Sequence, residues 1–295
     1  MLSLRAIHAS EHEVLAVVTR PPAPKGRGRR LEPSAVEAVA RELELPVFAP
    51  PSLQDSEFVA RLSALAPECC PVVAYGSLVP AGLLGMPAFG WINLHFSLLP
   101  AWRGAAPVQH AILHGDDVTG ATTFRLDEGM DTGPVFGQVT EAVGPEDTAA
   151  DLLSRLARSG AVLLVHTLDA ISDGSASPLP QPTEGVSFAP KLSVDDARVD
   201  WGRSALHINR LVRACYPSPG AWTMHGDARL KLLASAVIDG IDLSPGQVRV
   251  DKREVVVGCG ISALRVERVQ PQGKRAMPAV DWARGLRSTD DLWVR

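Results

Sequence analysis

Trp91-Ile92-Asn93-Leu94-His95-Phe96-Ser97-Leu98-Leu99-Pro100 begins as an apolar run of buried-strand type and ends in a polar turn. Two more short runs resemble its first half, Val14 to Thr19 and Pro71 to Tyr75, and such runs suit strands covered on both faces. Helical patterns lie between them. Pro33-Ser34 starts one through Val36, Val39, Ala40 and Leu43, and Phe58, Leu62 and Leu65 mark a second. Strand and helix alternating at this spacing predict a doubly wound α/β domain built on a parallel sheet.

Further along, Asp147-Thr148 offers an N-cap for a long helix carrying Leu152, Leu153, Leu156, Leu163, Leu164, Leu168 and Ile171 at helical spacing. The proline-rich stretch from Asp173 to Pro182 then breaks every periodicity. Residues 1–173 are therefore expected as the first domain, 174–190 as a linker and 191–295 as a second domain. Within the last, Ala205 to Ala214 reads as a helix with Arg210 and Arg213 among its polar positions. Ala221 to Met224, Leu230 to Ala234, Gln247 to Val250, Val255 to Val257 and Ala263 to Val269 are strand-like runs separated by turn residues, the pattern of a small, mostly-β barrel. A chain of 295 residues is long enough for two such cores.

Composition sets outer bounds. Hydrophobic residues at 46% and charged residues at 21% describe a folded chain. No apolar run approaches the roughly 20 residues of a membrane span, and the first residues lack a signal-peptide pattern, so a cytoplasmic protein is expected. Cys69, Cys70, Cys215 and Cys259 have neither metal-site spacing nor disulfide-scaffold density, and are expected to be reduced and buried. The net charge of −4 hides an asymmetry. Residues 1–189 carry 12 Lys+Arg against 21 Asp+Glu, a balance of −9, whereas residues 190–295 carry 17 against 12, a balance of +5. The basic half suits contact with an anionic partner.

The chemistry concentrates near the opening stretch. Asn93 and His95, two apart at a strand end, leave the backbone on one face. Asp131 arrives from a later acidic loop, Asp127-Glu128-Gly129-Met130-Asp131-Thr132-Gly133, whose glycines are expected to let backbone approach a ligand. An amide donor, an imidazole and a carboxylate suit a carbonyl that gathers negative charge during acyl transfer. Ser97 to Pro100 reads as a turn with free backbone groups that can grip a flat heterocycle. The basic segment Thr19 to Arg30 reads either as a solvated turn or as a phosphate contact, and its Gly26-Arg27-Gly28 is too short for a dinucleotide fingerprint. His110 and His114 have the i, i+4 spacing of a metal pair without a third ligand in register, so no metal is expected.

Together Asn93-x-His95, Ser97-Leu98-Leu99-Pro100, Trp102-Arg103-Gly104-Ala105-Ala106-Pro107 and Asp131-Thr132-Gly133 resemble the signature of the folate-dependent formyltransferases. The Trp-Arg-Gly-Ala-Ala-Pro run, the Thr19 to Arg30 loop and Asp281-Trp282-Ala283-Arg284-Gly285 resemble the tRNA-acting branch most. The resemblance implies a Rossmann-like formyltransferase domain followed by an OB-like barrel. It implies 10-formyltetrahydrofolate as co-substrate, initiator methionyl-tRNA as acceptor, and a monomer needing neither metal nor covalent intermediate. Asn93, His95 and Asp131 would be catalytic, Ser97, Leu98, Leu99 and Pro100 would contact folate, and Lys25, Arg27, Arg29 and Arg30 would contact tRNA.

One departure stands out. Family members begin with a buried strand and a Gly-Thr-Pro loop, whereas this chain opens at Met1-Leu2-Ser3-Leu4-Arg5-Ala6-Ile7, inside what corresponds to the following helix. A catalytic domain short of its first strand is expected, forfeiting roughly 10 kcal/mol of apolar burial. Two alternatives follow. One is formyl transfer to a nucleotide-sugar amine or a glycinamide ribonucleotide, and the other is a tRNA-binding remnant without catalysis.

Overall fold

The computed structural model describes residues 1–25, 30–286 and 292–295. The chain folds as two compact units. Met1–Ala105, Thr119–Glu141 and Ser154–Phe188 form the first, and Ala106–Val118, Ala142–Leu153 and Ala189–Arg295 form the second.

In the first unit α1 (Leu2–His8) precedes β1 (Val17–Val18), which is shorter than the apolar run that announced it. β2 (Ala23–Lys25) and β3 (Arg30–Glu32) pair antiparallel. α2 (Ala35–Glu42) starts where the Ser34 hydroxyl accepts the Glu37 N–H at 3.0 Å, satisfying one of the helix's open donors. β4 (Val47–Phe48) then pairs parallel with β1. α3 (Ser56–Leu65) is capped by the Asp55 carboxylate on the Phe58 N–H and buries Phe58 and Leu62. β5 (Cys70–Val73), α4 (Ala81–Leu84) and β6 (Trp91–His95) complete the expected alternation, with β5 and β6 parallel.

After α5 (Pro107–His114), whose residues belong to the second unit, come β7 (Val118–Arg125) and β8 (Val135–Ala142). They extend the sheet in the order β5-β6-β7-β8, with β7 antiparallel to β6. Neither strand stands out in the sequence. β7 is buried from Thr119 to Phe124, yet Thr119, Gly120, Thr122 and Thr123 erase the apolar run that usually marks such a strand. α6 (Ala149–Ser172) begins as a reciprocal box: the Asp151 N–H donates to the Thr148 hydroxyl, and the Thr148 N–H to the Asp151 carboxylate. The proline-rich stretch after it is bonded into the first unit rather than free. Leu179 and Val135 exchange both backbone hydrogen bonds, at 2.8 Å each.

The second unit is mostly β. α7 (Ala205–Ala214), capped by Ser204, lays Ile208, Leu211 and Val212 against a sheet of β9 (Trp222–His225), β10 (Ala228–Ile238), β11 (Val248–Val250), β12 (Val255–Gly258), β13 (Ala263–Pro271) and β14 (Met277–Pro278). α8 (Ala279–Arg284) adds Trp282 to the same core. The ladder runs antiparallel in the order β11-β12-β13-β10-β9. Residues 292–295 join its two edges: Val248 donates to Leu292 and Val294 to Gly246, while Met224 and Arg295 exchange two bonds. An antiparallel sheet tied edge to edge in this way is barrel-like and leaves few unpaired groups. Leu264 on β13 is fully enclosed. Leu264→Ala is expected to destabilise this unit by about 2–5 kcal/mol through lost contact and a residual cavity, read as an earlier urea midpoint.

Candidate active site

β6 sends Ile92 and Leu94 to one face and Trp91, Asn93 and His95 to the other. Trp91 fixes that second face by donating its indole N–H to the Leu83 carbonyl at 2.7 Å. Asn93 is half-buried, and no side-chain hydrogen bond joins it to another described residue. His95 is only 6% exposed and meets the Phe124 ring edge-on at 6.4 Å.

His95 Nε2 lies 2.9 Å from the Trp102 carbonyl oxygen. A carbonyl only accepts, so Nε2 carries the proton and Nδ1 of the neutral ring is a bare lone pair. Nδ1 is 3.7 Å from Asp131 Oδ2, too long for a hydrogen bond but close enough to favour a charged ring. Orientation of the ring thus comes from Trp102, and Asp131 acts on it through charge. Burial pushes the His95 pKa below its ordinary value, while the Asp131 charge and the Trp102 carbonyl pull the other way. The ring is neutral at neutral pH.

The Asp131 carboxylate is itself held: Oδ2 accepts the Gly104 N–H at 2.7 Å. Its loop is shaped by Asp127, whose Oδ1 accepts the Gly129 N–H and the Thr132 hydroxyl. A Cβ at Gly133 would overlap the Arg125 carbonyl, and one at Gly129 the Thr132 hydroxyl. These glycines permit a close approach to the protein's own atoms. Trp102 and Asp131 both sit at positive φ, 58° and 54°, in conformations that cost a non-glycine residue energy and persist only under outside constraint.

Much of that constraint comes from residues that the sequence did not mark. Gln181 donates its Nε2 to the carbonyls of Asp131 and Gly133 at 2.8 and 2.9 Å, and its Oε1 accepts from Arg103 at 2.6 and 3.2 Å. Ser187 Oγ accepts the Trp102 N–H at 2.9 Å. Both lie in the stretch expected to be a linker, where proline content masks any contact role.

The Ser97 to Pro100 turn is less open than its composition suggests. Ser97 and Leu99 are buried, and the Ser97 hydroxyl donates to the Ala101 carbonyl. Thr122 Oγ1 donates to the Ser97 carbonyl and accepts the Leu99 N–H, while Gln138 Nε2 donates to the Leu99 carbonyl. The expectation of free backbone groups is corrected: β7 and β8 occupy them. Leu98 and Pro100 keep partial exposure.

Arg27 and Arg29 lie outside the described residues, and of Lys25 and Arg30 only the paired backbone is described. In the second unit, His110 Nε2 meets the Pro190 carbonyl and His114 Nδ1 the His110 carbonyl, each at 2.9 Å, so part of each ring's bonding capacity is already engaged. No cluster of three or more His, Cys, Asp or Glu suited to a metal occurs among the described residues. Burial pushes the thiols of Cys69 and Cys70 up to about 12, leaving them protonated, although both are half-buried rather than enclosed. The second unit carries an open groove of about 610 Å³ lined by Met224, Arg229, Lys231, Gln270 and Gln272. Beside it the Arg229 guanidinium lies 3.9 Å from the Trp222 ring centre, and Arg198 lies 5.5 Å from it.

A titratable ring, a half-open amide and a clamped carboxylate around one strand end suit acyl transfer, which needs no side-chain nucleophile among them. Residues 2–168 match the formyl transferase family and residues 191–287 the formyl transferase C-terminal domain, so the chain belongs to the formyl transferase family. It is 57% identical over 289 residues to methionyl-tRNA formyltransferase of Thermobifida fusca, covering 98% of this chain and 93% of that one. It is 56% identical to the protein of the same name from Streptomyces coelicolor, over 96% of this chain and 92% of the other. Among solved structures it resembles WlaRD, a sugar 3N-formyl transferase determined with dTDP and 5-N-formyl-THF, at TM-score 0.68 and 15% identity over 93% of this chain and 94% of that one. At that identity the likeness shows the fold.

Proposed function

We propose that this chain transfers the formyl group of 10-formyltetrahydrofolate to the α-amino group of initiator methionyl-tRNA. The observation that carries the chemistry is the bare Nδ1 of His95, facing Asp131 on the strand face that also carries Asn93. The acceptor rests on identities of 54–57% with relatives of that name along nearly the whole chain. That same likeness disfavours the tRNA-binding remnant.

The reaction follows from the residues. The methionine amine attacks the formyl carbon, a C–N bond forms, and the carbonyl oxygen becomes an oxyanion beside the Asn93 amide, whose N–H₂ donates to it. His95 Nδ1 takes the proton released by the new ammonium, and Asp131 stabilises the resulting imidazolium at 3.7 Å. The protonated Nδ1–H is then the donor for the departing N10 of tetrahydrofolate as the intermediate collapses. Neutral His95 has no N–H to spare for the oxyanion, because its one donor serves Trp102. Asn93 carries the early charge and His95 the proton. Leu98 and Pro100 are the members of their turn open to the folate ring.

The basic groove on the barrel suits the RNA backbone, and Lys25, Arg27, Arg29 and Arg30 suit the acceptor end. Replacing Arg229 and Lys231 together by glutamine is expected to weaken tRNA binding and to lower the slope of log affinity against log salt by about 2, one for each lost phosphate contact. Filter binding across a salt series measures it. No helix among the described residues is long and apolar enough to cross a membrane, and the proposed work is that of a cytoplasmic monomer. Initial rates with methionyl-tRNA, an aminated dTDP-sugar and glycinamide ribonucleotide as competing acceptors test the assignment. Methionyl-tRNA should be formylated selectively, and preference for either small acceptor would overturn it.

A further inference from the structure

Two loops frame His95, and bonds from outside each loop help to hold its shape. One carries Trp102 and the other Asp131, each a non-glycine residue at positive φ. The distance between these loops sets how closely the Asp131 charge faces Nδ1. The Gly104 N–H on Asp131 Oδ2 ties the two loops directly. Gln181 makes a second tie. Its carboxamide spends the donor end on the Asp131 loop, through two carbonyls, and the acceptor end on Arg103, next to Trp102. The assignment of its ends is forced, since carbonyls only accept and guanidinium only donates.

We infer that Gln181 is a positioning residue for the proposed formyl transfer: it clamps the Trp102 turn to the Asp131 loop and so fixes the carboxylate against the imidazole. The inference rests on the reading of Asn93, His95 and Asp131 given above. Gln181 touches none of the reacting atoms in this account. With the clamp gone, the Gly104 bond is left to tie Asp131 to the Trp102 turn, and the backbone at Asp131 is freer to relax. A drift of about 1 Å away from Nδ1 is enough to cost up to roughly 100-fold in rate. It also weakens the charge interaction that raises the His95 pKa.

Two variants test this. Gln181→Leu removes both ties, whereas Gln181→Glu keeps an acceptor for Arg103, now as an ion pair that favours a folded chain, and loses the donor that holds the Asp131 loop. Both are expected to lower kcat about 10- to 100-fold with KM for folate and tRNA unchanged. In Gln181→Leu the acid limb of kcat/KM should move to lower pH, whereas the carboxylate added in Gln181→Glu opposes that shift. Wild-type kcat with an unmoved limb would overturn the inference. So would parallel changes in kcat, both KM values and melting temperature with the limb in place, because that pattern is a merely structural role. Asn93→Ala measured alongside separates the two levels. If it turns over normally, the underlying reading has failed; if it is impaired while both Gln181 variants behave as wild type, only the positioning role has.

Discussion

Asn93→Ala is expected to formylate methionyl-tRNA about 100-fold or more slowly than the wild type, the loss typical of one oxyanion donor. His95 commits its single N–H to the Trp102 carbonyl at 2.9 Å, so the neutral ring has none to offer when the oxyanion first forms. Asn93 sits two residues earlier on the same strand face and is half-buried, with an amide not engaged by any described residue. Removing it leaves the developing charge without its side-chain donor. The effect should fall on kcat and kcat/KM alike, since the interaction is made only as charge develops. The alanine lies on the less enclosed face of β6, so the melting temperature should stay near that of the wild type.

His95→Gln is expected to lower turnover by about 10² to 10⁴, the range for loss of a positioned proton acceptor. Glutamine keeps a donor for the Trp102 carbonyl but cannot take a proton at neutral pH. The pH profile separates this from a steric effect. In the wild type the base works as the neutral ring, whose pKa burial holds below the ordinary histidine value. Activity should therefore stay level through neutral pH and fall as pH drops through that lowered pKa, and the limb should vanish in His95→Gln. Asp131→Asn removes a charge that favours the imidazolium, so its limb should shift further down. Stability follows the same sign. The unfolded ring binds a proton more readily than the folded one, so this histidine destabilises the fold as pH falls below about 6.5. His95→Gln should lose less stability on acidification.

The sequence carried the chemistry more plainly than the scaffold around it. Asn93, His95 and Asp131 lie in short, compositionally distinctive segments, and the i, i+2 spacing placed the first two on one face before any coordinates. β5, β6, α2 and α3 were legible for the same reason, since apolar runs, the Pro33-Ser34 start and the spacing of Phe58, Leu62 and Leu65 state them locally. β7 was not, because its buried threonines read as polar although two of them satisfy their hydroxyls within the protein. Thr122 and Thr123 do so, against the Ser97 carbonyl and the Thr167 hydroxyl. Gln181 was the deepest miss. Its role depends on partners 48 to 78 residues away, and local periodicity holds no trace of such a contact. The segment that joins the sheet's edges was missed likewise: residues 292–295 are too few to show alternation, and only their bonds to Gly246, Val248 and Met224 reveal them.

The account is tested most directly by single-turnover transfer of isotopically labelled formyl from 10-formyltetrahydrofolate to methionyl-tRNA, at saturating tRNA, for the wild type and the Asn93→Ala/His95→Gln double variant. The wild type should place label on the methionine amine, and the double variant should bind tRNA with unchanged affinity yet transfer no faster than the slower single variant. A wild type that binds both substrates without moving label, or a double variant that moves it at the wild-type rate, would contradict the account.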